Sequence, residues 1–95
     1  SEIEKLPEEP GVFYFKDATD QLLFIDGSKN VRREVIKFFN KAEGQIERQQ
    51  AQEAITQIDY QATGNELIAR LWAYHEIRKT SPPFNKKLRD YKFSH

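Results

Sequence analysis

The chain has 95 residues, with 15 Lys and Arg balanced by 15 Asp and Glu, no Cys, seven Phe, four Tyr and one Trp. Such a length can bury only one modest core. The absence of Cys excludes disulfides, thiolate metal sites and Cys nucleophiles, no apolar run nears the roughly 20 residues that span a bilayer, and no signal-peptide pattern opens the chain.

Residues 1–10 are polar and acidic, with Pro7 and Pro10. They read as an N-terminal lead-in that packs loosely, ahead of a single domain over 11–92. No Met precedes Ser1, so a domain excised from a longer chain is expected. Gly11 to Lys16 reads as a strand with Phe13 and Phe15 on one face and Val12 and Tyr14 on the other. Asp17-Ala18-Thr19-Asp20 is turn chemistry, and Leu22 to Ile25 completes a β-hairpin. Asp26-Gly27-Ser28 is expected to break that strand. Ser28 or Asn30 can cap the next helix, which runs to about Asn40 and buries Val31, Val35, Phe38 and Phe39 at helical spacing.

Residues 43–53 predict a short surface helix with Ile46 as its one candidate for burial. Ile58 to Ala62 alternates with period two and predicts a third strand. Thr63-Gly64-Asn65-Glu66 fits a capping box with Thr63 as the cap. The helix after it, over 65–79, is expected to bury Leu67, Ile68, Leu71 and Trp72, with Tyr74 or Ile77, before Pro82 and Pro83 end it. Phe84, Leu88 and Tyr91 are expected to anchor the tail. The order ββα(α)βα predicts a small α/β (α+β) domain with a three-stranded antiparallel sheet flanked by helices.

The zero net charge hides segregation. Lys29, Arg32, Arg33, Lys37 and Lys41 face Glu34 alone in residues 29–41, and Arg78, Lys79, Lys86 and Lys87 open a second basic segment. These nine cations are the nucleic-acid-binding candidates, since phosphate contacts need only Lys and Arg on an accessible face, and the two segments could merge into one patch. The aromatic strand residues could stack bases, but a domain this small needs most of its rings inside. There is no Gly-rich phosphate loop, HExxH or Cys/His cluster. His75 and Glu76 are ordinary helix residues, and turn capping accounts for Asp17 and Asp20 better than acid–base work does.

Three colinear blocks carry a resemblance. LPEEPGVFYFKD resembles LPxxPGVYxFxD, LLFIDGSKNVRREVIKFF resembles VIYVGKAKNLRxRVxSYF, and TGNELIARLWAYHEIRKTSPPFNKKLRD resembles SExEALLLEaNLIKxxxPRYNxxLRD. Together they cover about residues 6–90 and are similar to the GIY-YIG nuclease superfamily, in the form of the UvrC N-terminal domain. The third block is most similar to the domain appended to bacterial exonucleases of the DNA polymerase III epsilon-subunit type.

The resemblance implies a GIY-YIG-like fold and a site that active members build from two Tyr, a helix Arg, a further Tyr, a metal-binding Glu and an Asn. Onto this chain the two Tyr fall at Phe13 and Phe24, the second motif's Gly at Asp26 and the Lys after it at Gly27. The Arg falls at Glu34, the helix Tyr at Phe38 and the metal-binding Glu at Ala73; the Asn is kept as Asn85. Phe keeps the ring and loses the proton-bearing hydroxyl, Ala removes the hard oxygen ligand a Mg²⁺ needs, and Glu34 repels the phosphate an Arg would clamp.

The resemblance therefore implies a catalytically inactive domain with no metal or other cofactor. Its expected role is auxiliary, binding or positioning DNA in a replication or repair exonuclease. Expected partners are DNA, the exonuclease domain of the same chain or other repair and replication proteins, in the cytoplasm at the bacterial nucleoid and away from any membrane. The rival expectations are a protein–protein interaction module without nucleic-acid binding, and a residual metal-dependent endonuclease that uses His75, Glu76 or a partner's carboxylate.

Overall fold

Phe13 and Phe15 leave one side of a strand and Val12 and Tyr14 the other, and the layers of the domain follow from that alternation. The computed structural model describes residues 3–40, 50, 52–83 and 85. Strands β1 (Gly11–Lys16), β2 (Leu22–Ser28) and β3 (Gln57–Ala62) form one antiparallel sheet in the order β2-β1-β3. Helices α1 (Val31–Asn40) and α2 (Glu66–Thr80) cover its two faces. The α/β class and the three-stranded antiparallel sheet expected from the sequence are present.

The hairpin turn is held by Asp17, whose Oδ1 accepts from the backbone N–H of Thr19 at 2.9 Å, the Thr19 hydroxyl at 2.7 Å and the backbone N–H of Gln21 at 3.0 Å. That bonding to the charged form holds the Asp17 carboxyl below its ordinary value, the Thr19 hydroxyl contributing most. The strand break expected at 26–28 does not occur. Gly27 pairs with Val12 and Ser28 with Gly11, so the ladder continues to the last residue of β2. Asn30 then caps α1, its Oδ1 accepting from the Arg33 N–H at 3.0 Å.

One face of the sheet meets α1 through rings. Phe13, Phe15 and Phe24 pack with Val31, Val35 and Phe38, and Phe39 lies partly buried beside them. Phe15 stands at the centre, with ring centroids 5.2 Å from Phe13, 5.7 Å from Phe24, 4.9 Å from Phe38 and 5.6 Å from Phe39. The lead-in belongs to this core and is not loose. Leu6 is buried in the cluster, and the Glu9 and Pro7 carbonyls accept from the first-turn amides of Val31 and Arg32, each at 3.1 Å. Those carbonyls satisfy amides that a helix start otherwise leaves bare, which is why the segment is fixed.

The other face is thinner. Val12 and Ile25 meet α2 through Ala69 and Ala73, with Tyr14, Leu22 and Ile77 packed at the margin. Burial of Leu67, Ile68, Leu71 and Trp72 was the sequence expectation, and all four are exposed, as is Tyr74; Ile77 is the half-buried one. The cause is the short distance between helix and sheet. At Gly27 a Cβ would fall against the Ala69 carbonyl oxygen and 2.9 Å from the Arg70 nitrogen, so α2 rests its backbone on β2 and only alanines fit beneath it.

Asn65, not Thr63, caps α2: its Oδ1 accepts from the Ile68 N–H at 2.8 Å, while the Thr63 hydroxyl donates to the Asn65 carbonyl. The helix ends at Thr80, and Ser81 follows in the left-handed region with φ 47°. Gln50, Gln52 and Glu53 of the minor helix expected over 43–53 are helical. The rest of it, except these three, lies outside the described residues, as do the tail anchors Phe84, Leu88 and Tyr91.

Candidate functional site

The sheet separates the residues that the resemblance would group into one site. Phe13, Phe24 and Phe38 meet inside the ring cluster, with Phe24 and Phe38 centroids 5.5 Å apart and Phe13 and Phe24 6.3 Å apart. All three are buried, Phe13 at 1% exposure. Asp26 stands opposite Phe13 on the same face and accepts from the Gly27 N–H at 2.9 Å. Glu34 is half-buried on α1. Gly27 lies under α2, and Ala73 belongs to the cluster on the opposite face with Val12 and Ile25. The cluster of three rings offers apolar contact and no exchangeable proton.

The resemblance implies that active members hold a divalent cation through a carboxylate at the position of Ala73. Ala73 is 3% exposed and its methyl is sealed between β1, β2 and α2 by Val12 and Ile25. Hard cations are held by carboxylate oxygens, and Ala73 with Val12, Ile25 and Ala69 offers no carboxylate, so the residues present do not fit the ion at that position. Among the described residues, no group of three or more His, Cys, Asp or Glu stands close enough to hold a metal.

Asn85, the site residue that the resemblance expects to be kept, is buried and clasps a strand. Its Oδ1 accepts from the Ile25 N–H at 2.8 Å and its Nδ2 donates to the Ile25 carbonyl at 2.7 Å. β2 is an outer strand of the sheet, so Asn85 satisfies both of the outward-facing peptide groups of Ile25. A backbone contact 60 residues away in sequence leaves no periodic signal, and the motif alone could not reveal it.

Tyr14 lies on the face opposite Phe13, as strand alternation requires. Burial raises its hydroxyl above the ordinary Tyr value; the Trp72 indole donating to it works in the other direction, and the Glu76 charge adds to the rise. The adjacent Lys16 is 3.0 Å from Asp59 and 3.7 Å from Asp20, and hydrogen bonding to Asp59 raises its ammonium above the ordinary Lys value.

The cations divide in the same way as the core. Lys29, Arg33 and Lys37 are exposed on the α1 side. Arg32 is turned back onto the lead-in: its Nη2 donates to the Glu4 carbonyl at 2.6 Å and its Nη1 is 3.6 Å from Glu8 Oε2. Arg78 and Lys79 stand on α2 across the sheet, where Arg78 bonds the Tyr74 hydroxyl at 3.0 Å with its guanidinium 5.6 Å from that ring's centre. The described members of the two basic segments thus stand on helices that cover opposite faces of the sheet. Lys41, Lys86 and Lys87 lie outside the described residues. The first-turn amides of α1 are equally committed, since Glu9, Pro7 and Asn30 accept from them, so that helix start is closed to an anion.

Sequence reasoning missed the outer face of α2. Leu67 is 67% exposed and Leu71 58%, and Ile68, Leu71, Trp72, Tyr74, His75 and Glu76 line a shallow groove of about 470 Å³. The signal was there in Ala69 and Ala73, one turn apart on the stripe that could face a glycine. Small residues inside put the large ones outside.

The family model for the UvrC-like GIY-YIG domain matches residues 9–86. UvrABC system protein C from Synechococcus sp. (strain JA-2-3B'a(2-13)) is 35% identical over 95 residues, covering 97% of this chain and 15% of that protein. The protein of the same name from Methanothermobacter thermautotrophicus is 33% identical over 89 residues, covering 94% and 15%. The chain thus spans about 15% of the length of these curated relatives. The GIY-YIG N-terminal endonuclease domain of UvrC from Thermotoga maritima, bound to magnesium as its catalytic divalent cation, has a TM-score of 0.77 at 24% identity, covering 88% of this chain and 91% of that chain. A Tyr→Phe point mutant of that domain, also bound to its cation, has a TM-score of 0.76 at 25% identity over the same shares. With the family match running from the lead-in to the tail, this chain belongs to the UvrC-like GIY-YIG domain family.

Proposed function

We propose that this domain has lost the nuclease chemistry of its family and serves as an auxiliary element that positions a catalytic domain on DNA, in a replication or repair exonuclease of the DNA polymerase III epsilon type. One observation carries the loss of chemistry. The positions where an active member needs a proton-bearing ring or a cation ligand hold Phe13, Phe24, Phe38 and Ala73, each buried in an apolar cluster. Losing the metal and the phosphate clamp together removes the terms that usually dominate such a rate. The test is incubation with nicked or branched DNA and Mg²⁺ or Mn²⁺. The expected result is no cleavage above the protein-free control; cleavage that a chelator stops overturns the proposal.

The positioning role rests on Lys29, Arg33 and Lys37, the exposed cations of the α1 side. Three phosphate contacts give weak, sequence-tolerant binding that falls steeply with salt. Fluorescence anisotropy with labelled DNA should detect it at low salt, and changing all three to Gln should abolish it. A protein-interaction role is the second reading, favoured by the exposed apolar side chains of α2. No DNA binding at low salt would decide for that reading.

A further inference from the structure

We infer that the outer face of α2 is a self-complementary surface that pairs with the same face of a second copy of this chain. The inference rests on the protein-interaction reading and gives it a partner; it is independent of whether the domain cleaves DNA. Leu67, Leu71, Tyr74 and Arg78 recur at spacings of four, three and four along the helix, the pattern of a two-helix seam, and Ile68, Trp72 and His75 flank it. With ~150–250 Å² for a large side chain, the exposures of Leu67, Ile68, Leu71, Trp72 and Tyr74 leave roughly 500 Å² of apolar surface per copy. Exposed His75 and Arg78 add to this area, towards the ~800 Å² per partner of a standard stable interface.

Charge selects the orientation. The first turn of α2 carries Glu66 and its last turn Arg78 and Lys79. Arg70 already meets the Glu66 charge, so the unbalanced end is the basic one: a two-fold antiparallel pair keeps the two Arg78–Lys79 ends apart and opposes the helix dipoles, whereas a parallel pair sets them together. The same two-fold places Leu71 against Tyr74 of the second copy at the centre of the seam. Arg70, the cation nearest the seam's start, is held by Glu66 at 2.7 Å. DNA is a poor occupant of this face, because Leu67, Ile68 and Leu71 carry no donor for a phosphate and the Trp72 indole N–H is given to Tyr14.

The test is sedimentation velocity of the 95-residue chain from low to high micromolar concentration, alongside the emission of Trp72, its only Trp. The expected result is a mass rising from 11.2 kDa towards twice that value, with emission moving to the blue as Trp72 leaves water. Leu71→Asp, and separately Leu67→Glu, should hold the chain at 11.2 kDa at every concentration with an unchanged circular dichroism spectrum. A wild-type mass fixed at 11.2 kDa with constant emission overturns the inference, as do a dimer that survives both substitutions and assembly beyond a dimer.

Discussion

The two faces of this sheet solve the same problem in opposite ways. Towards α1 the strands send rings, and the layer is filled by Phe13, Phe15, Phe24 and Phe38. Towards α2 they meet Ala69 and Ala73 across Gly27, and the layer is as thin as two backbones allow. A face filled with rings uses most of its large side chains for stability and leaves only Ile36 and Tyr60 exposed among the described residues. A face seated on small residues frees the large side chains of its helix, so Leu67, Leu71 and Trp72 reach solvent. The residues that the resemblance groups into one site fall on both faces, Phe13, Phe24 and Phe38 on the first and Gly27 and Ala73 on the second, whereas most of the exposed apolar surface is on the second.

Substitutions can break this contrast, and the largest effect belongs to the filled face. Phe15→Ala removes the ring at the centre of the cluster and should cost about 3–5 kcal/mol, enough to unfold much of a domain this small. Urea denaturation followed by circular dichroism measures it. On the thin face the corresponding change is an addition. Gly27→Ala places a methyl against the Ala69 carbonyl and should cost about 1–3 kcal/mol by prising α2 from β2. Gly27→Lys, which installs the residue the family resemblance implies there, should cost at least as much. A neutral result would show that α2 can ride outward at little cost.

A smaller effect concerns pH and separates the faces by charge. Tyr14 and Lys16 both titrate above their ordinary values of 10.0 and 10.5 in the folded state. The unfolded chain gives up these protons first, so their contribution is complete below the ordinary values and is lost as pH rises through the raised ones. Urea midpoints should therefore fall on the alkaline side of about pH 10. Tyr14→Phe combined with Asp59→Asn should flatten that fall, and a double variant with the same slope would assign it elsewhere. The smallest effect on the isolated fold is Leu71→Asp, a change at a site 58% exposed, expected within about 0.5 kcal/mol for the monomer. A large loss would mean that the outer face of α2 already supports the fold.

The filled face was legible in the sequence because strands and helices announce themselves by period. Phe13 and Phe15 at period two, and Val31, Val35 and Phe38 at helical spacing, both turned inward as their patterns require. The thin face was misread because the apolar residues of α2 are spread nearly all round the helix among its charged ones. Periodicity then offers several stripes, and size chooses among them: the alanines go in because Gly27 brings the helix too near for leucine. Arg32 was misleading for a different reason. Nothing local distinguishes it from Arg33, yet the lead-in carbonyl of Glu4 holds one guanidinium and leaves the other in water. The family blocks named the residues expected to form a site, and tertiary placement divides those residues between two layers.

Asn85 carries a consequence for solubility. An outer strand with bare peptide groups is a template on which a stranger's strand can be laid. A carboxamide is a peptide group in miniature, with one oxygen and one N–H pair at the right separation, and here it stands where a fourth strand would begin. A chain adding itself to β2 would first have to displace Asn85 from Ile25, exchanging two short bonds for two of the same kind with no gain. A single side chain therefore acts as a stopper on the sheet, keeping strand-by-strand growth from starting at that edge.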